Sequence, residues 1–153
     1  MQGFEALLQV RRVAEEKALK LLSSAKQEFE QIREEEEYLL ACAGRAQETL
    51  KELEQETFDV RESIIYRRYL NMVRGRIARC RRRRSVAQEA LEKRIRDYET
   101  KRHGREAISD LLEERRSRKR RELEKQQQRE IDESAQQRWA GKGRPEGAGK
   151  AVL

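Results

Sequence analysis

Apolar residues return along this chain at alternating three- and four-residue steps, and they do so twice. The first series runs Phe4, Leu7, Ala14, Ala18, Leu21, Ala25, Ile32, Leu39, Cys42, Ala46 and Leu53. Arg11, Glu28, Glu35 and Thr49 interrupt it, leaving eleven of fifteen positions of the repeat apolar. Leu8, Leu22, Phe29 and Leu50 widen the stripe. The second series runs Tyr66, Leu70, Val73, Ile77, Cys80, Ala87, Leu91, Tyr98, Ile108 and Leu112, and then fades: between 113 and 138 only Leu123, Ile131 and Ala135 are apolar. The single proline is Pro145, so nothing earlier forces a break. A mean step of about 3.5 residues places each series on one helix face, as a coiled-coil seam requires.

Two long helices with unequal seams point to an all-α antiparallel two-helix coiled-coil hairpin whose second helix outruns the first. The expected bounds are a first helix over 4–56, a corner over 57–62 and a second helix over 63–139, with 1–140 as one unit and a flexible tail over 141–153. Asp59 followed by Glu62 fits a capping box at a helix start. No glycine or proline marks the corner, so one continuous helix is the alternative. Folding about residues 59–60 favours the hairpin. It sets Leu7 against Leu112, Leu21 against Tyr98, Ile32 against Ala87, Leu39 against Cys80, Cys42 against Ile77 and Leu53 against Tyr66. Large residues then meet small ones, and Gly44 falls opposite Gly75, which predicts a close backbone approach. Phe4 reaches only Arg115, leaving an unpaired arm over 116–139.

The charge distribution agrees. The chain is 42% charged with a formal net charge of +7. Residues 1–62 hold 9 Lys/Arg against 15 Asp/Glu, a balance of −6, and residues 63–153 hold 27 against 14, a balance of +13. The fold sets the run Glu34 to Glu37 opposite Arg82 to Arg84, so the arginines read first as structural partners. Arg74, Arg76 and Arg81 remain to face outward toward an acidic protein or a membrane surface. With 5% aromatic residues there is little bulk for a thick globular core. No run of about 18 apolar residues could span a bilayer. The N-terminus lacks a charged-then-apolar leader, and the reading is a cytoplasmic protein with Cys42 and Cys80 as reduced, seam-filling thiols.

Nothing in the chain has the spacing of catalytic or metal-binding chemistry. His103 sits in the solvated basic stretch Lys101-Arg102-His103-Gly104-Arg105, no phosphate loop appears, and a two-helix hairpin has no pocket to exclude water. The expectation is a non-enzyme without cofactor or metal. Two surfaces suit partners instead. Near the corner, Tyr69, Val73, Arg76 and Cys80, with Leu39 and Cys42, form a candidate contact patch, and Tyr38 stands beside Leu39. At the far end Ile131, Ala135 and Trp139 recur every four residues on the charged arm.

Three stretches resemble the FliJ family, the stalk component of flagellar type III export, and its relatives in virulence secretion. They are Phe4-Glu5-Ala6-Leu7-Leu8-Gln9-Val10-Arg11, Tyr66-Arg67-Arg68-Tyr69-Leu70, and Glu130-Ile131-Asp132-Glu133-Ser134-Ala135-Gln136-Gln137-Arg138. The last is similar to the family's terminal acidic-hydrophobic signature. The resemblance implies a coiled coil like the gamma-subunit stalk of rotary ATP synthases, peripheral at the cytoplasmic face of the membrane and monomeric alone. It implies three partners: a hexameric export ATPase, a membrane export gate protein and export chaperones, with no nucleic acid. The gate contact falls on Leu39, Cys42, Tyr69, Val73, Arg76 and Cys80. The ATPase contact falls on Arg118, Arg121, Lys125, Arg129, Ile131, Asp132, Glu133, Ala135 and Trp139. The alternatives are the equivalent stalk of a virulence system, a basic coiled-coil nucleic-acid binder whose affinity would fall steeply with salt, and a scaffold that oligomerises through the arm.

Overall fold

The computed structural model describes residues 2–56 and 59–142. Two helices, α1 (Gln2–Glu56) and α2 (Val60–Lys142), pack antiparallel along the length of α1, with no strand among the described residues. At 1.5 Å per residue, α1 is roughly 80 Å long and α2 roughly 125 Å. The chain is a helical hairpin, and the single continuous helix is excluded.

Asp59 turns the chain. Its carboxylate Oδ1 accepts from the amide of Arg61 at 3.0 Å, and its carbonyl accepts from the amide of Ser63 at 3.1 Å. The first bond satisfies a donor that a helix start otherwise leaves open, the second is the helix's own first backbone bond, and α2 therefore begins at Val60 rather than at Ser63. Ser63, buried, sits on the seam one turn before Tyr66. At the other end α2 continues through Gly141 to Lys142. The remainder of the expected tail, 143–153, and the corner residues 57 and 58 lie outside the described residues.

The core is a single seam one side chain deep. Ile32, Leu39, Val73, Ile77, Cys80 and Ala87 form its central cluster, with Phe29 and Ala43 packed against it. Val73 and Cys80 are each only 2% exposed. The thiol of Cys80 donates to the backbone carbonyl of Ile32 at 3.4 Å, a direct tie from α2 to the backbone of α1. Both cysteines are buried free thiols. At the free end the guanidinium of Arg115 stacks over the ring of Phe4, the pair that folding about residues 59–60 brings together.

Two expectations about how the seam packs fail in detail. The seam near the N-terminus uses Leu8, 7% exposed, while Leu7 is 38% exposed; Leu21 likewise points outward and Leu22 is half-buried. The row that pairs with Phe4, Ala18, Ala25, Ile32 and Leu39 is therefore Leu8, Glu15, Leu22, Phe29 and Glu36. Both rows keep the same period, so spacing alone does not choose between them. The second failure is Gly44 and Gly75. Both are exposed, and a Cβ built on either meets nothing within 4 Å, so no close backbone approach exists there.

Glu15 and Glu36 are the polar members of the inner row, and α2 supplies an arginine to each. Glu36, 5% exposed, accepts from Arg81 at 3.1 Å and also from Arg84. Glu35 pairs with Arg83 at 3.1 Å. The acidic run thus faces the arginine run as expected, except that Arg81 turns inward to Glu36 and no ion pair within 4.0 Å involves Arg82 among the described residues. Glu15 takes Arg105 at 2.7 Å. The hydrogen bond from Arg105 holds the Glu15 carboxyl below the ordinary glutamate range against a desolvation that would raise it.

Candidate functional site

The corner-proximal surface is built from the outward neighbours of seam residues. Leu39, Cys42, Val73 and Cys80 are all buried between the helices, whereas Tyr69 and Arg76 reach solvent. Ile65, Tyr69, Met72 and Arg76 follow one another on α2 at four-, three- and four-residue steps and are all exposed, so they lie in one outward row. Ile65 and Met72 are exposed and lie outside the seam pattern. The same spacing continued outward from Tyr69 would have found them.

Cys42 sits under this row in a polar collar. Arg45 Nη2 donates to its sulfur at 3.6 Å. Burial pushes the Cys42 thiol up, but the polar groups around it, Tyr38, Arg45 and Tyr69, outweigh that and hold the thiol below its ordinary range. Tyr69 moves the opposite way, first through burial and then through the neighbouring thiolate charge. Cys80 is also raised, by burial and then by Glu35 and Glu36. The two thiols of one seam therefore differ in character.

The arm is the second surface. From 118 to 142 every side chain is exposed, including Arg118, Arg121, Lys125, Arg129, Ile131, Asp132, Glu133, Ala135 and Trp139. Trp139 is 79% exposed. Local bonds hold its polar face: Arg118 to Glu114 at 2.6 Å, Arg120 to Glu113 at 3.2 Å and Gln128 Nε2 to Asp132 at 3.0 Å. Beyond Arg116, which pairs with Glu5 at 3.1 Å, no ion pair joins α2 to α1 among the described residues.

Among the described residues, no group of three His, Cys, Asp or Glu side chains could hold a metal ion, and no helix is long and apolar enough to cross a membrane. His103 lies 3.8 Å from Glu106 on the surface of α2. The clefts along the rod are shallow and open rather than enclosed.

No curated protein and no solved structure matches the chain. The family model described as "Flagellar FliJ protein" matches residues 1–144, which takes in the hairpin, the capped corner and the whole arm. Unequal helices, a one-layer seam and a bare charged arm all fall inside that match, and the chain belongs to the flagellar FliJ protein family.

Proposed function

We propose that this chain is the central stalk of the hexameric export ATPase of the flagellum. Members of the family are non-catalytic components of flagellar protein export, which favours the flagellar machine over a virulence system. The observation that carries the reading is the arm: about 26 residues of α2 continue as helix beyond the end of α1 with no partner, and Trp139 stands near its tip in water. The arm and the paired termini enter the hole of the ring and promote its assembly and activity. Exposed ion pairs contribute about 0–1 kcal/mol each, so a charged rod makes many weak contacts that still allow it to be repositioned.

The corner end faces the membrane export gate. Tyr69 and Arg76 make the contact, while Leu39, Cys42, Val73 and Cys80 support them from the seam. This places the protein at the cytoplasmic face of the membrane, where it also handles export chaperones. The nucleic-acid reading is weakened by the engagement of Arg81, Arg83 and Arg84 with Glu35 and Glu36.

The test is steady-state ATP hydrolysis by the cognate ATPase, titrated with the full chain and with a chain ending at Arg115. Stimulation that the truncation abolishes is the expected result. A competent ATPase that ignores the full chain would remove the stalk reading.

A further inference from the structure

Near the free end, α1 carries a second apolar row beside the seam. Leu7, Val10, Ala14, Lys17 and Leu21 follow at three- and four-residue steps, and all but the half-buried Ala14 are exposed, Val10 at 63%. On α2, Asp97, Lys101, Gly104, Ile108 and Leu111 repeat the same spacing, and Leu111 is also exposed. Ala14, Lys17 and Leu21 line one groove of about 450 Å³ together with Arg94, Asp97 and Lys101. A second hollow, on α1 alone and lined by Gln9, Val10, Val13, Ala14 and Lys17, adjoins it toward the N-terminus. The antiparallel register brings the two rows side by side at Lys17 and Lys101, which line the same groove, and continued toward the free end it sets Leu7 near Leu111. A hairpin needs one apolar row pair for its own seam. Here the outer row of α1 stays apolar and open beside an α2 row that is apolar only at Ile108 and Leu111, a surface on which a third helix can lie.

The charge of the groove states what that helix carries. Lys17, Arg94 and Lys101 line it against the single carboxylate of Asp97, and none of the three cations is in an ion pair within 4.0 Å among the described residues. The guanidinium of Arg11 reaches across the seam to Gly104, with Nη1 3.5 Å from the position of an added Cβ, and brings a fourth cation. We propose that this groove docks an acidic amphipathic helix of a partner protein, its apolar face on Val10, Leu21 and Leu111 and its carboxylates on Lys17, Lys101 and Arg94.

The test uses two synthetic helical peptides of about three heptads, each with leucine at a and d, one with glutamate and one with lysine at e and g. Their like charges discourage self-pairing. Fluorescence anisotropy against the full chain is expected to show saturable binding of the acidic peptide, at least tenfold tighter than the basic one. Val10→Asp with Leu21→Asp weakens it at least tenfold, and Lys17→Glu with Lys101→Glu shifts the preference toward the basic peptide. Circular dichroism checks that these exposed substitutions leave the hairpin helical. The proposal is overturned by equal binding of the two peptides, by no saturable binding of the acidic one, or by binding that Val10→Asp with Leu21→Asp leaves intact. Sedimentation showing self-association relieved by those same two substitutions would assign the groove to a second copy and also overturns it. The groove belongs to the paired termini that the stalk reading puts inside the ring, so helix and ring take turns on this surface; no ATPase enters the assay, and a failure here leaves the stalk reading to its own test.

Discussion

The guanidinium of Arg115 lies 4.0 Å from the centroid of the Phe4 ring and, with the neighbouring Arg116–Glu5 pair, clamps the free end of the hairpin. Such a stack contributes about 0.5–1 kcal/mol at an exposed site. Phe4→Ala is therefore expected to leave the midpoint of unfolding almost unchanged while speeding amide hydrogen exchange in the first two turns of α1. Exchange that stays at the rate of the central seam would show that the clamp contributes nothing.

Glu36 gives a sharper energetic test. Its carboxylate is buried between two half-solvated arginines, which return to water easily when it is removed. Glu36→Leu restores an apolar residue to the inner row and is expected to keep stability within about 1 kcal/mol of the parent or to raise it, since replacing a buried ion pair with packed apolar atoms is often neutral or better. Glu36→Lys buries a cation against Arg81 and Arg84 and costs about 3–5 kcal/mol. Urea denaturation of both variants decides the matter.

Gly44 and Gly75 stand mid-helix with open space where a Cβ would go. Alanine lowers the backbone entropy lost on folding, so Gly44→Ala and Gly75→Ala should each stabilise by about 0.5–1 kcal/mol. A loss of thermal stability in either would mean that the helices approach there more closely than this structure shows.

The Glu15–Arg105 pair sets an acid limb. Because the folded carboxyl lies below its unfolded value, its contribution is fully present above the unfolded glutamate pKa of about 4.3 and is lost as pH falls through the lowered folded value. Glu15→Gln is expected to flatten the fall in stability below about pH 4 and to leave the slope near neutrality unchanged. Thermal melts across that range measure it.

The two thiols should separate in alkylation. Cys42 is depressed by its hydrogen-bonding collar, whereas Cys80 is raised by burial and by Glu35 and Glu36. Iodoacetamide is expected to label Cys42 first in the folded chain, and Tyr69→Phe to slow that labelling by removing one donor. Equal rates for the two cysteines would show that the collar does not act on the sulfur.

Much of this architecture was readable from residues alone, and the failures have physical causes. Unequal seams gave the hairpin, and the pairing of Phe4 with Arg115 and of the glutamate run with the arginine run followed from folding about one corner. The choice between Leu7 and Leu8 did not follow, because both rows share one period and only the arginines of α2 reveal that Glu15 and Glu36 lie inside. Likewise a glycine announces a missing side chain without saying which way it points, and Gly44 and Gly75 point away. The exposure of the arm was legible because α1 is too short to cover it. The exposure of the corner residues was legible only in part: Tyr69 and Arg76 reach solvent, whereas Leu39, Cys42, Val73 and Cys80 fill the seam.

The step from two helices to one at Arg116 also has a mechanical meaning. Two bonded rods resist bending far more than either does alone, since the material lies farther from the neutral axis. Any lateral load on the tip near Trp139 therefore bends the segment beyond Arg116 before it disturbs the hairpin. The molecule is a stiff handle carrying a compliant probe, and the clamp between Phe4 and Arg115 marks where one becomes the other.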